Sequence, residues 1–88
     1  MNFHKLERAV RGFSNHRRIQ ILDLLKSSPE MSVDEIATTL KINFKTASEH
    51  IRRLAISGLV LKRSDGSRVR HKLTPRAVNV LKFLRILE

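Results

Sequence analysis

Three residues, Lys41-Ile42-Asn43, are all that separate two stretches of helical period. The first, MSVDEIATTL, opens with Ser32 three residues ahead of Glu35. This is the capping-box spacing, in which a hydroxyl and a carboxylate each satisfy an orphan backbone N–H, and it predicts a helix over about 33–40. The second, NFKTASEHIRRLAISG, offers Asn43 as a cap and sets Ala47, Ile51, Leu54 and Gly58 along one side, so a helix over about 44–57 is expected. Two amphipathic helices tied by so short a connection make a helix-turn-helix.

The rest of the chain fits around that unit. Phe3, Leu6, Val10 and Phe13 fall at helical spacing, with Gly12 where such a helix would end, giving a first helix over about 3–12. Ser14 or Asn15 can cap a second, whose stripe of Ile19, Leu22 and Leu25 is widened by Ile21 and Leu24 until Ser27, Ser28 and Pro29 stop it. After Gly58 the period changes. LVLKR and RVRHKL read as short strands around SDGS, where Asp65-Gly66 supplies the positive φ angles of a tight hairpin turn. Thr74 then caps a last helix, with Pro75 at its first position, running to about Leu87. The expected chain is mostly α with a small β-hairpin, an α+β order of four helices, two strands and one helix. That is the order of a winged helix-turn-helix, and 1–88 is the size of one such domain.

Charge narrows the partner. Eighteen Lys and Arg against eight Asp and Glu leave a net +10, which repels itself unless a polyanion uses it. Nucleic acid and an anionic membrane surface are the candidates. The absence of cysteine excludes disulfides and thiolate metal sites, and no metal-ligand spacing suggests a cofactor. MNFHKLERAVRGF is too polar for a signal peptide and no apolar run approaches the roughly 20 residues of a membrane span, so a soluble, cytoplasmic protein is expected. The apolar and basic features occupy different elements rather than two faces of one helix, which argues against a membrane.

Between Lys41 and Lys72 stand nine basic residues, half of the total, against only Glu49 and Asp65. At 100° per residue the side of the fourth helix opposite Ala47, Ile51 and Leu54 presents Lys45, Glu49, Arg52, Arg53 and Ile56, with Thr46 and Ser48 flanking it. Phe44 lies near the buried edge and is expected in the core. A helix fits the major groove, and its N-terminal side chains reach base edges, which nominates Lys45, Thr46, Ser48 and Glu49 for base contact. Arg52 and Arg53, with Arg68, Arg70 and Lys72 alternating along the second strand, are the expected phosphate contacts. The plainer alternative is a solvated face in which Glu49 pairs with Arg52 or Arg53. Concentration of charge on two adjoining elements favours phosphate. Glu49 itself either accepts from a cytosine amino group, restrains an arginine or is merely tolerated. His50 reads as a packing or phosphate-side residue, and His4, His16 and His71 are too scattered to make a site.

The stretch MSVDEIATTLKINFKTASEHIRRLAISGLVLKRSDGSRVRHKLT resembles the ArsR-type family of bacterial and archaeal transcriptional regulators. Glu35, Ile36, Ala37 and Leu40 match one part of that pattern, while Thr46, Ala47, Ser48, His50, Ile51, Leu54, Gly58, Leu59 and Val60 match another; NHRRIQILDLL matches the segment before them. The resemblance covers about 14–74 and implies a winged helix-turn-helix that regulates transcription. It also marks departures. Metal-sensing members carry paired cysteines where this chain has Met31, Ser32 and Val33, and RAVNVLKFLRILE supplies only Glu88 toward a terminal-helix metal site. His71 stands where an aromatic is common, and Glu49 where a basic residue is frequent.

In the last helix Arg76, Asn79, Lys82 and Arg85 recur every three residues, so the polar stripe winds and the apolar surface covers more than one side. One small core cannot easily use all of it. A symmetric dimer through the terminal helices, with Phe3, Leu6, Val10, Leu81, Leu84 and Leu87 at the interface, is expected; the alternative is a helix wrapped by its own domain. An enzyme is not expected, since there is no Gly-rich phosphate loop or nucleophile motif and Ser48 and His50 do not face each other on a helix. These features together predict a homodimeric regulator of double-stranded DNA acting at a near-palindromic operator. It is expected to be a repressor, because no activation domain is evident. A winged-helix module for RNA or protein is the competing use of the fold.

Overall fold

The computed structural model describes all 88 residues and contains five helices and one hairpin. They are α1 (Phe3–Phe13), α2 (His16–Ser27), α3 (Val33–Leu40), α4 (Phe44–Ile56), β1 (Val60–Asp65), β2 (Arg68–Leu73) and α5 (Pro75–Leu87), the expected winged helix-turn-helix order.

Side-chain caps start every helix. The Asn2 and Asn15 amides accept from Lys5 N (3.0 Å) and from Arg17 N (2.9 Å), and Asn43 accepts from Lys45 N at 2.7 Å. Ser32 and Glu35 complete the capping box, at 3.2 Å and 3.0 Å. Thr74 Oγ1 accepts from Ala77 N at 3.2 Å and donates to the Gly58 carbonyl at 2.7 Å, so one hydroxyl both starts α5 and ties it to the end of α4. Each such cap is worth about 1 kcal/mol. Between α3 and α4 the chain turns through Lys41 in the left-handed region (φ 56°), with Ile42 N donating back to the Ala37 carbonyl.

Ile21, Leu22 and Leu25 of α2, Ile36 of α3, Ile51 and Leu54 of α4, and Leu59 at the start of the hairpin are fully buried and form the centre of the core. The faces of α3 and α4 assigned from sequence periodicity therefore point inward.

Four local expectations are corrected. Gly12 does not end α1 but lies inside it, where a Cβ would collide with the Ser57 side chain; the glycine allows α1 to touch the end of α4. In the hairpin Asp65 pairs with Arg68, so the two-residue loop is Gly66-Ser67 and only Gly66 takes positive φ. Phe44, expected in the core, is 54% exposed; it stands at the first position of α4, ahead of that helix's first buried residue, Ala47. Leu81, expected at a subunit interface, is 4% exposed and belongs to the domain's own core.

His71 is the unforeseen core residue. It is 1% exposed, its Nδ1 lies 2.8 Å from the Met31 carbonyl, and its backbone N–H donates to that same oxygen. Glu30 N donates in turn to the His71 carbonyl. The segment before α3 thus pairs with β2 and anchors the hairpin to the helix-turn-helix.

Candidate nucleic-acid interface

The residues of α4 that do not face the core form one outward surface. Lys45, Thr46, Glu49, Arg52 and Arg53 are exposed on it and Ser48 is half-buried at its edge. Four of the nominated residues, Lys45, Thr46, Ser48 and Glu49, thus come together in the first two turns, with Arg52 and Arg53 in the turn beyond. No acidic residue occupies the first turn of α4, so Lys45 adds to the positive end of the helix dipole.

Glu49 is engaged from two sides. Arg52 grips it bidentately, Nη2 donating to Oε1 at 2.7 Å and Nε to Oε2 at 2.9 Å, and Arg53 Nε donates to Oε1 at 3.1 Å. These hydrogen bonds, the Arg52 pair first, hold the carboxyl down at about 2. Of the alternatives open in the sequence, the geometry matches restraint of the arginines. His50, toward α2, is held below the ordinary imidazole range by burial and then by the neighbouring Arg18, which keeps it neutral near pH 7.

The hairpin register fixes which wing residues share a face, because directly opposed residues lie on the same side. The pairs Leu61–Lys72, Arg63–Arg70 and Asp65–Arg68 make one side and Val60–Leu73, Lys62–His71 and Ser64–Val69 the other. Arg68, Arg70 and Lys72 therefore do share a face, joined by Arg63. They are not equivalent. Arg70 donates from Nε to Asp65 at 2.7 Å and from Nη1 to the Glu30 carbonyl at 3.1 Å. It braces the wing, a role the sequence reading of Arg70 as a phosphate contact did not include. Arg63 pairs with Glu30 at 3.0 Å, while Arg68 reaches Glu35 only at 3.9 Å and Lys72 has no carboxylate partner. The Arg63–Glu30 pair spans 33 residues of sequence and had no local signature.

A second surface lies between α1 and α5. Leu6, Val10, Phe13, Val80 and Phe83 line an open groove of about 740 Å³, with Lys5, Arg76 and Asn79 among its polar residues. Phe3, Phe83, Ile86 and Leu87 stand 76%, 54%, 84% and 69% exposed around it and beyond. Of the residues expected at an interface, Phe3, Leu6, Val10 and Leu87 are exposed, Leu84 is half-buried and Leu81 is buried; Phe83 and Ile86 take its place on the outer face.

A helix with a solvent-facing polar side, held across a three-residue turn and followed by a basic hairpin, defines the winged helix-turn-helix class of DNA-binding domain. The chain belongs to the arsR family of bacterial regulatory proteins, whose family model matches residues 15–62. It is 38% identical over 69 residues to the HTH-type transcriptional regulator Rv0324 of Mycobacterium tuberculosis, covering 78% of this chain and 30% of that protein. The chain thus spans about a third of that relative's length. The homodimeric winged helix-turn-helix DNA-binding domain of Mb0332 from Mycobacterium bovis superposes with a TM-score of 0.87 at 30% identity, covering 96% of this chain and 78% of that one. HlyU from Vibrio cholerae superposes with a TM-score of 0.84 at 28% identity, covering 99% and 97%. The family model describes bacterial regulatory proteins, and Rv0324 is named as a transcriptional regulator. No helix of the chain is long and apolar enough to cross a membrane.

Proposed function

We propose that the chain acts as a homodimeric, cytoplasmic repressor. Residues 44–57 enter the major groove of a near-palindromic operator, and the wing over 59–73 lies on the backbone. One observation carries this reading: α4 and the hairpin hold eight Lys and Arg against two acids, while seven of the twelve large exposed apolar side chains lie on α1 and α5. Lys45, Thr46 and Ser48 reach base edges, Arg52 and Arg53 meet phosphate under the restraint of Glu49, and Arg68 and Lys72 meet the flanking backbone. The apolar groove closes against the same groove of a second copy, an arrangement supported by the homodimeric Mb0332 domain. A dimer seated on a promoter occludes it without further contacts, which supports repression. Cofactors play no part in this scheme.

Selection of bound duplexes from a random pool tests it. The expected product is an inverted repeat whose half-sites lie about 10 base pairs apart, one helical turn of DNA. An unstructured pool, or equal competition by RNA at fixed salt, would overturn the operator reading.

A further inference from the structure

Where the C-terminal end of α1, the N-terminal turn of α2 and the second half of α4 meet, a cleft of about 310 Å³ is lined by Arg8, Arg11, Arg18, Arg52 and Arg53, with Ser57 beside them. No acidic residue lines it. We propose that this cleft is a phosphate-binding site, built to hold a phosphoryl group by several guanidinium groups at once.

Five like charges around one concavity repel each other, and the fold adds to the repulsion rather than relieving it. The first turn of α2 carries His16, Arg17 and Arg18 and no acid, so its side chains stand at the positive end of the helix dipole. Two carboxylates outside the cleft neutralise only part of the set. Glu7 reaches Arg11 at 3.4 Å across exposed surface, and Glu49 holds Arg52 and Arg53 through one side of each guanidinium. Arg8 has no carboxylate partner. Arg18 Nη1 donates to the Arg11 and Gly12 carbonyls, both at 3.3 Å, which fixes the α1–α2 corner, yet its Nε is buried with no acceptor. Arg8 and Arg18 thus line the cleft with no carboxylate partner, and an anion there is the ligand of matching charge.

The close approach of Gly12 to Ser57 brings the arginines of α1 within the same cleft as those of α4. A guanidinium presents paired N–H donors that fit phosphate oxygens, so arginine rather than lysine is the residue such a site requires. Arg52 and Arg53 belong both to the cleft and to the outward face of α4. The phosphoryl group can therefore come from a duplex backbone running past α4 or from a free phosphorylated small molecule. The first source rests on the DNA-binding reading above; the second does not.

Two arms separate the sources, using the full chain and the variant Arg8→Ala with Arg11→Ala, both positions on an exposed helix surface. In the first arm, pyrophosphate is titrated calorimetrically at fixed ionic strength. In the second, the salt dependence of duplex binding is measured. A control with Lys26→Ala and Lys82→Ala removes equal charge elsewhere. Pyrophosphate binding that weakens at least tenfold in the arginine variant but persists in the lysine control assigns the cleft to a free phosphorylated ligand. Absence of pyrophosphate binding, with a log–log salt slope flattened by about 0.9 per lost contact in the arginine variant alone, assigns it to the DNA backbone. If neither pyrophosphate binding nor the slope responds to the arginine variant, the cleft is not a phosphate site. If the wild-type chain binds no duplex, the DNA-binding reading fails and the pyrophosphate arm alone decides the cleft, absence of binding there overturning it.

Discussion

Along α4, Lys45, Arg52 and Arg53 project into solvent; across the domain, on α1 and α5, Phe3, Phe83 and Ile86 do the same. These two sets of side chains are of opposite chemistry and water treats them differently, although α4 also exposes Phe44 and Ile56 and α1 exposes Lys5, Arg8 and Arg11. Exposed charge is well solvated, gains little from surface ion pairs and leaves a cationic patch free to exchange partners with salt. Exposed apolar area carries a penalty of about 25 cal/mol per Å² until it is covered, which drives a lasting contact. The difference teaches why one small domain needs both. A weak, salt-sensitive grip becomes selective when a second copy doubles it with fixed geometry.

Breaking the apolar side should have the largest effect. Leu6→Asp with Phe83→Asp places charge in the α1–α5 groove without touching the core, so the fold is retained and the dimer is lost. Operator affinity should fall by about 100-fold or more, because each monomer keeps only one half-site. Sedimentation beside titration of the operator checks this, and a persistent dimer at full affinity would contradict it. Leu81→Asp should behave differently and unfold the chain, since that residue lies in the core.

On the charged side, the next largest effect separates contact from support. Arg68→Ala with Lys72→Ala should flatten the log–log salt slope by up to about 2 while leaving the melting temperature nearly unchanged. Arg70→Ala should do the reverse. Its ties to Asp65 and the Glu30 carbonyl hold the hairpin, so its loss should lower the melting temperature and leave the slope nearly intact. A flatter slope for Arg70→Ala alone would return it to the interface.

Glu49→Gln should be milder. Freed from the carboxylate, Arg52 and Arg53 bind any duplex several-fold tighter, while preference at each operator base pair shifts by less than about 1 kcal/mol. A loss of roughly 1–3 kcal/mol of preference at a single position would instead make Glu49 a reader of cytosine.

The smallest effect concerns pH, and it too divides the regions. Glu35, Glu49, His50, Asp65 and His71, whose ionisation the fold displaces, all sit on α3, α4 or the hairpin. Burial depresses His71 below 6.5, so the unfolded chain takes up protons first as pH falls. His71 therefore contributes stability that is present above pH 6.5 and is lost below it, with His50 acting in the same direction. Glu49 adds a loss only between 4.5 and about 2, as its arginine partners compete with protonation. His71→Gln should flatten the melting profile below pH 6.5, and an unchanged profile would remove His71 from this linkage.

The helix-turn-helix and its faces were legible because periodicity, caps and one short turn are local signals. Ser32 with Glu35, Asn43, and Ala47 with Ile51 and Leu54 each act within a few residues. What was not legible arose from contacts between distant segments. His71 became core because Met31 pairs with it across 40 residues, and Arg70 became a brace because Glu30 lies beside it. A helical wheel gives direction but not where along a helix burial begins and ends. Phe44 therefore points near the buried side and still stands exposed, while Leu81 was claimed by a core that reaches further along α5 than composition suggested. The arginine cleft was hidden for the same reason, since its members lie on three helices and only the fit of Gly12 against Ser57 brings them together.

Amide chemical shifts of the isotope-labelled full chain, recorded before and after addition of its selected duplex, test the division of labour most directly. The account predicts that Lys45, Thr46, Ser48, Arg68 and Lys72 shift, while Phe3, Leu6, Phe83 and Ile86 keep the positions they hold in the free dimer. Shifts concentrated on α1 and α5, with α4 and the hairpin unmoved, would contradict it.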